Sequence, residues 1–348
     1  MRKYTLLVIL FTLSCLAGRG YAEETNFAND AFASQLTMDA FNQSVRHRME
    51  VARFGFYGNI QAPPAQNRVA ANIQECPVSR FTVWTDGYTT WGKKKDGDGY
   101  KINLGGPALG FEWSNGPLTV GVAGTHAWGK LKGRDVTHEN KTRTWGVTTY
   151  AQWNYERFYV NAALSYGHNR FKSTRKTIAG VYTPDDPGKA KYHSNAWNAE
   201  MEVGTRLNIC NFLIEPNIGV RYFHDKRKSF TEQFNTQPAN AYSKRNYHAL
   251  EMPLGVNVGY EVGFFNGMMI PRMHFAWVPQ FDRKFGKAVT GAPNFIHDSS
   301  KRARHGFELG AGIQGKVFKG IDAHVDYNVN MRSKTYEHTL TAGLGWSF

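Results

Sequence analysis

Long hydrophobic runs are missing from this sequence once its first two dozen residues are passed. No later stretch approaches the ~18 consecutive apolar residues of a membrane-spanning helix, so such a helix is excluded there. Cysteine is scarce, at 3 in 348 residues, which excludes a scaffold built on disulfides. Acid is short of base: 28 Asp and Glu stand against 42 Lys and Arg, a formal charge of +14. A catalytic pattern is lacking too. The 12 histidines show no metal-ligand spacing and no nucleophile–base pair stands out, so neither an enzyme nor a bound cofactor or metal is expected. What is plentiful is glycine, at 35 residues, and aromatic side chains, at 14%. That mixture suits tight turns, closely approaching strands and belts of rings.

The N-terminus reads as an address. Arg2 and Lys3 precede the apolar run "YTLLVILFTLSCLAG", and "GYA" follows before Glu23. A basic start, a short apolar centre and a small-x-small site predict a secretory signal peptide over residues 1–22. Thr12 stands where a lipoprotein signal needs a branched apolar residue, so lipidation of Cys15 is not expected. Removing the leader leaves two cysteines, Cys76 and Cys210.

After residue 80 the dominant signal is alternation. In "FYVNAALSYG" (158–167), Phe158, Val160, Ala162, Leu164 and Tyr166 share one face. In "IDAHVDYNVNM" (321–331), Ile321, Ala323, Val325, Tyr327 and Val329 do the same. A period of two over such lengths predicts strands with one apolar face. Twelve are expected, near 80–92, 104–114, 117–130, 142–154, 157–171, 191–209, 211–225, 243–262, 267–282, 303–318, 320–332 and 335–348. Short links alternate with long charged ones at 93–103, 131–141, 172–190, 226–242 and 283–302; only Ser333-Lys334 is short where length is expected. An even strand count with short turns on one side and long loops on the other marks an outer-membrane barrel. The last strand must then pair with the first, because an open edge in lipid leaves backbone groups unpaired. That strand carries Leu344, Trp346 and Phe348 outward, with the two rings expected at the short-turn interface.

Residues 23–79 differ. A stretch of about 29–54 contains neither Gly nor Pro, and Phe41, Val45 and Met49 recur at helical spacing, with Asn29 or Asp30 as cap. About 24 helical residues extend ~36 Å, enough to traverse a barrel. A linker with Pro63 and Pro64 leads to the first strand. The expected organisation is therefore a signal peptide (1–22), a short segment with helix and linker (23–79) and a barrel (80–348). The fold class is all-β, a 12-stranded antiparallel transmembrane β-barrel.

Several stretches resemble the translocator domain of type V autotransporters. They are "WTDGYTTWGKKKDGDGY" (84–100), "GPALGFEWSNGPLTVGVAGTHAWG" (106–129), "IEPNIGVRYFHDKRKSFTE" (214–232), "LEMPLGVNVGYEVGFFNGMMIPRMHFAWVPQF" (250–281) and the closing run from 306 to "HTLTAGLGWSF". The likeness covers about residues 30–348. It implies a helix threading the pore, an outer-membrane location in a Gram-negative-type bacterium and insertion by the barrel assembly machinery. Leu344, Trp346 and Phe348 would form the closure and assembly signal. The family typically carries a long passenger ahead of the barrel. Only about 55 residues precede the first strand here, so the expectation is a very short or vestigial passenger. Some members cleave themselves at paired asparagines; Asn42-Gln43 departs from that pair, and cleavage is not expected.

The pore is where mechanism should lie. Alternation places Glu112, Glu200, Glu202, Glu215, Glu251, Glu261, Glu308, Asp322, Asp326 and Glu337 toward the lumen. The cations expected there are fewer: Arg206, Arg221, Arg272, Lys316 and Arg332. The helix brings Arg46, Arg48 and Arg53 with His47. A cationic helix among lumen carboxylates is held by charge-assisted hydrogen bonds and plugs the pore; the alternative leaves it in the periplasm. Cys76 and Cys210 both fall at the short-turn rim as a candidate disulfide.

Basic clusters such as Lys93-Lys94-Lys95 and Lys226-Arg227-Lys228 occupy the long-loop side, where outer-membrane lipid and lipopolysaccharide supply anions. Nucleic acid is not an expected partner, and the chain is expected to be monomeric. "GAGIQG" (310–315) lies within a strand and is not a dinucleotide fingerprint. "DGDG" (96–99) lacks the glutamate that would complete a calcium loop, since Pro107 stands at that position. Two other readings stay open from the residues: a general channel without a plug, and a surface adhesin acting through the basic loops.

Overall fold

The computed structural model describes residues 30–53, 79–95, 99–133, 138–175, 186–236, 239–264, 267–282, 304–318 and 320–348. The signal peptide, the Pro63-Pro64 linker and Cys76 lie outside the described residues.

One helix, α1, spans 30–53, and strands fill most of the rest. In chain order they are β1 (Arg80–Lys94), β2 (Tyr100–Asn115), β3 (Leu118–Gly133), β4 (His138–Tyr155), β5 (Phe158–Arg175), β6 (Gly188–Thr205), β7 (Leu207–Ile209), β8 (Phe212–Arg227) and β9 (Phe230–Glu232). They continue as β10 (Asn240–Tyr242), β11 (Arg245–Glu251), β12 (Leu254–Tyr260), β13 (Val262–Phe264), β14 (Gly267–Asp282), β15 (His305–Phe318), β16 (Ile321–Arg332) and β17 (Thr335–Ser347). Twelve wall strands result. β7 continues β6, β13 continues β12, and β11 with β12 forms one wall strand divided at Met252-Pro253. β9 and β10 form a separate hairpin.

Every wall strand pairs antiparallel with its neighbours, and the sheet closes on itself. β1 and β17 make the seam, with Thr82 opposite Ser347 and Lys94 opposite Thr335. Phe348 donates its N–H to the Phe81 carbonyl at 2.9 Å and receives one from the Phe81 N–H at 3.2 Å. The pairing therefore runs to the last residue, and no edge faces lipid. Where Pro253 interrupts its strand, the ladder is mended locally: the Gly219 N–H donates to the Pro253 carbonyl (2.8 Å), and the Met252 N–H to that of Pro279 (3.0 Å).

The outer face carries an apolar band between two belts of rings. Trp153, Tyr155, Phe158, Phe212, Trp346 and Phe348 are exposed at the short-turn end. Trp91, Trp128, Trp145, Trp197 and Tyr222 are exposed higher up, and valine, leucine and methionine lie between. Rings at both interfaces fix the height of the membrane.

The strands outrun the sequence-based boundaries. β2 starts at Tyr100, β4 at His138 and β6 at Gly188, while β3 and β5 reach Gly133 and Arg175. The flanks of 93–103, 131–141 and 172–190 are thus sheet, with strands of 16 to 18 residues against the ~9–11 that cross a membrane. The physical reason is an inversion of polarity above the upper belt. There Tyr100, Ile102, Leu131, Phe171 and Tyr192 are buried inward, while Lys101, Lys132, Lys141, Lys172 and Lys191 face outward. The charge of these lysines reflects a strand in water. The β9–β10 hairpin within 226–242 adds Phe230 and Tyr242 to this inner cluster. Ring centroids step from Phe171 to Tyr192 (5.1 Å), Phe230 (4.2 Å) and Tyr242 (4.8 Å).

Val122 faces lipid between the two belts, opposite Phe111 and Thr149. Val122→Arg is expected to destabilise the barrel by roughly 2–4 kcal/mol, read as a lower denaturant midpoint for refolding into phospholipid bilayers.

Candidate functional site: the occupied lumen

α1 runs through the lumen of the barrel. Its neighbours give its direction. Asp30, the first described residue, accepts hydrogen bonds from Asn140 and Tyr192, near the long-loop ends of β4 and β6. Arg53, the last, donates to Glu215 at 2.9 Å, near the short turn that leads into β8. The chain then returns to Arg80 on that same side. The N-terminus of α1 thus points toward the long loops. Asp30 bonds the wall, and Asn29, the other candidate cap, lies outside the described residues.

Apolar packing seats the middle of the helix. Met38, Phe41, Val45 and Met49 are fully buried, spaced so that they share a face. Two glycines of the wall let the helix approach β4 and β5. A Cβ at Gly167 would sit 2.6 Å from the Met38 sulfur, and one at Gly146 would sit 3.5 Å from the Phe41 ring. A methyl at Gly167 must push the Met38 side chain aside, whereas one at Gly146 would meet Thr125 of the wall at 2.9 Å and only touch Phe41.

Polar contacts set its height and rotation. In the upper half they are mostly neutral. Ser34 donates to Asp225 (3.0 Å), Tyr247 donates to the Gln35 side-chain oxygen (3.1 Å), and Gln35 donates to Glu251 (3.4 Å). Asn42 donates to Glu200 (2.9 Å) and accepts from Ser165 (2.7 Å). In the lower half they are ionic. Arg46 meets Glu200 at 2.6 Å. Arg48 donates through Nε and Nη2 to Glu112 (2.9 and 2.8 Å) and through Nη1 to Asp322 (2.5 Å). Arg53 lies over the Tyr159 ring, 3.8 Å from its centroid, and shares Glu215 with Arg206 (2.6 Å). A fork-shaped guanidinium is suited to bridging such paired carboxylates.

Arg48 has a special position. Glu112 belongs to β2 and Asp322 to β16, so this one side chain reaches across both seam strands, β1 and β17. Glu112 is in turn held by the Tyr150 hydroxyl (3.0 Å), which accepts from the Trp84 indole (2.9 Å). Helix, seam and wall share one network.

The other lumen acids serve the wall first. Glu308 accepts from Arg221 (2.7 Å), Glu251 from Arg332 (2.8 Å) and Glu202 from Asn161 (3.2 Å). Asp326 accepts from Arg272 (2.7 Å) and lies 3.6 Å from His47, while Arg272 also meets Glu50 of the helix. Glu337 is buried toward the lumen. Glu261 is half-exposed at the break between β12 and β13, its backbone N–H bonded to Asn211, and is not among the carboxylates that meet the helix. Lys316 is exposed near the end of β15. Leu344, Trp346 and Phe348 face outward. Cys210 is exposed in a tight turn at φ 54°, and its candidate partner Cys76 lies outside the described residues.

Sequence reasoning missed Asp86, Asp225, Ser34, Gln35 and Glu50. Asp86 was legible, because it shares the alternating inward face with Thr82 and Trp84. His324 lies 3.4 Å from it and 5.6 Å, centroid to centroid, from His47. The helix residues Ser34 and Gln35 carried no signal, since only the folded wall supplies their partners.

Arg48→Ala leaves Glu112 and Asp322 without their shared cation, and loss of stability of about 3–5 kcal/mol is expected. Arg46→Ala is expected to cost less than Arg48→Ala, because Arg46 is partly exposed and Glu200 keeps its donors Asn42 and Asn198. Denaturant titration of the detergent-folded barrel distinguishes the two.

A family model described as the autotransporter beta-domain matches residues 83–328. Outer membrane protein A of Rickettsia rickettsii is 25% identical over 254 residues, covering 68% of this chain and 11% of its own length. Probable autotransporter YpjA of Escherichia coli (strain K12) is 23% identical over 327 residues, covering 92% of this chain and 19% of its own length. The chain thus spans a small part of the curated relatives it matches. Among solved structures, the translocator domain of autotransporter NalP from Neisseria meningitidis superposes with a TM-score of 0.65 at 12% identity, covering 90% of this chain and 98% of that one. The beta domain of the Bordetella autotransporter BrkA gives 0.62 at 16% identity, covering 77% and 99%. A closed wall of twelve strands around a seated helix agrees with these matches, and the chain belongs to the autotransporter beta-domain family, an outer-membrane barrel of the translocator type.

Proposed function

We propose that this barrel is a non-enzymatic conduit: it delivers whatever chain precedes residue 30 to the long-loop side, then keeps α1 as its plug. The direction of α1 carries this reading. Asp30 lies among residues of the long-loop end and Arg53 among those near the short turns. A segment joined to Asp30 therefore continues outward, with no need to re-cross the wall. Ionic contacts gathered in the lower half of the helix support retention after passage. We infer the barrel assembly machinery as the partner at insertion, a monomer as the working form, and lipopolysaccharide as the anionic neighbour of the basic end. Nucleic acid has no place in this reading.

An epitope inserted just upstream of residue 30 tests delivery. The expected result is antibody labelling and protease removal in intact cells; labelling only after the outer membrane is broken sinks the reading. Retention as a plug is read separately, by conductance. Deleting 30–53 is expected to raise single-channel conductance in planar bilayers severalfold, because α1 occupies the lumen. Equal conductance of both forms favours the open channel instead.

A further inference from the structure

The outer wall above the upper aromatic belt carries cations in rows that run across strands. In one row Lys130 of β3 stands directly opposite Lys141 of β4, which stands opposite Lys172 of β5, which stands opposite Lys191 of β6. One step nearer the membrane, Trp128 is opposite Arg143, and Arg143 opposite Arg170. All these residues point away from the lumen. Like charges directly opposed across a sheet repel. One carboxylate is set among them, Glu139, at 2.6 Å from Lys130 and 3.7 Å from Lys141. Three consecutive like-charged pairs in one row and another in the next mark a surface that meets an external anion. Spacing is favourable: neighbours in a row lie ~4.8 Å apart and the rows ~6.6 Å apart, so one phosphate reaches cations of two strands.

A groove opens directly beneath. It is lined by Gly105, Pro107, Trp128, Arg143, Leu340 and Ala342, among others, on the outer face of β1–β4 and β17. Its floor is lowered where β2 has no large side chain, at Gly105, Gly106 and Pro107, and Trp128 and Leu340 flank it. The cationic rows thus sit at headgroup height, and an apolar furrow descends from them into the zone of the acyl chains.

We propose that the β2–β6 face is a binding site for a phosphorylated, multi-acyl lipid of the outer leaflet, of lipopolysaccharide type. Its phosphates lie between the lysine row and the arginine row, and one acyl chain lies in the furrow beside Trp128. The idea rests on, and sharpens, the reading that the basic end of the barrel meets outer-leaflet anions. It moves the contact from the loops to a defined patch of wall, where register fixes the cations.

The test uses the purified full chain in neutral detergent, with binding of a bisphosphorylated lipid A measured against its dephosphorylated form. The wild type is expected to prefer the phosphorylated lipid by roughly tenfold or more. Lys130→Gln/Lys141→Gln/Arg143→Gln should abolish that preference, whereas Lys130→Arg/Lys141→Arg/Arg143→Lys should keep it. Arg157→Gln, at the opposite rim, should leave it intact. Folding of each variant is checked by heat-modifiable gel mobility; should the neutralised triple not fold, Lys141→Gln alone is expected to show a partial loss. Equal binding of both lipids, or full retention by the neutralised variants, overturns the proposal. If the phosphorylated lipid binds wild type and neutralised variants alike, the general outer-leaflet reading survives while this site does not. Millimolar inorganic phosphate should fail to displace the lipid; complete displacement points to a free-anion site and also overturns the proposal.

Discussion

A backbone group in hydrocarbon has no water to turn to, and most of this architecture follows from that constraint. Each strand must find two partners, so the sheet has to curl until Arg80–Lys94 meets Thr335–Ser347. Closure then creates an interior, and the interior has to be filled or wetted. Here it holds a helix whose side chains meet those of the wall. The proline break at Met252-Pro253 obeys the same rule on a small scale, since the flanking carbonyls of Pro253 and Pro279 still receive donors.

The seam differs from every other junction in the wall. Neighbouring wall strands elsewhere follow one another in sequence, while the seam unites residues as far apart as Thr82 and Ser347, whose hydroxyls meet at 2.9 Å. Arg48 reaches over it from inside to Glu112 and Asp322. Buried ion pairs are weak sources of net stability, but they fix geometry, because the wrong placement leaves charges uncompensated. The helix is therefore registered against the least local junction of the fold.

Much of this was legible in sequence, for a physical reason. Alternation is imposed by the lipid along the whole crossing, so Phe158 to Tyr166 and Ile321 to Val329 declare their faces without any tertiary information. Glu112, Glu200, Glu215 and Asp322 were placed toward the lumen by the same parity, and each meets a helix arginine. The boundaries failed where the environment changed. Above the belt, water replaces lipid outside the wall, so Lys101 and Lys141 belong outside and Ile102 and Leu131 inside. A reading tuned to lipid takes such stretches for loops. Pairings such as Asn42 with Ser165, or Arg272 with Glu50, depend on the rotation and height of α1. No local pattern encodes those two quantities.

The contacts of α1 are distributed unevenly along its length, and this has a mechanical consequence. Arg46, Arg48 and Arg53 are gathered toward one end, while Ser34, Gln35 and Asn42 hold the other through hydrogen bonds from neutral side chains. A tug applied outside the cell, along the axis above Asp30, is transmitted down the rod to its foot. There it meets charged contacts loaded in shear. The load is thus borne at the end farthest from where it is applied, as in a rivet under tension.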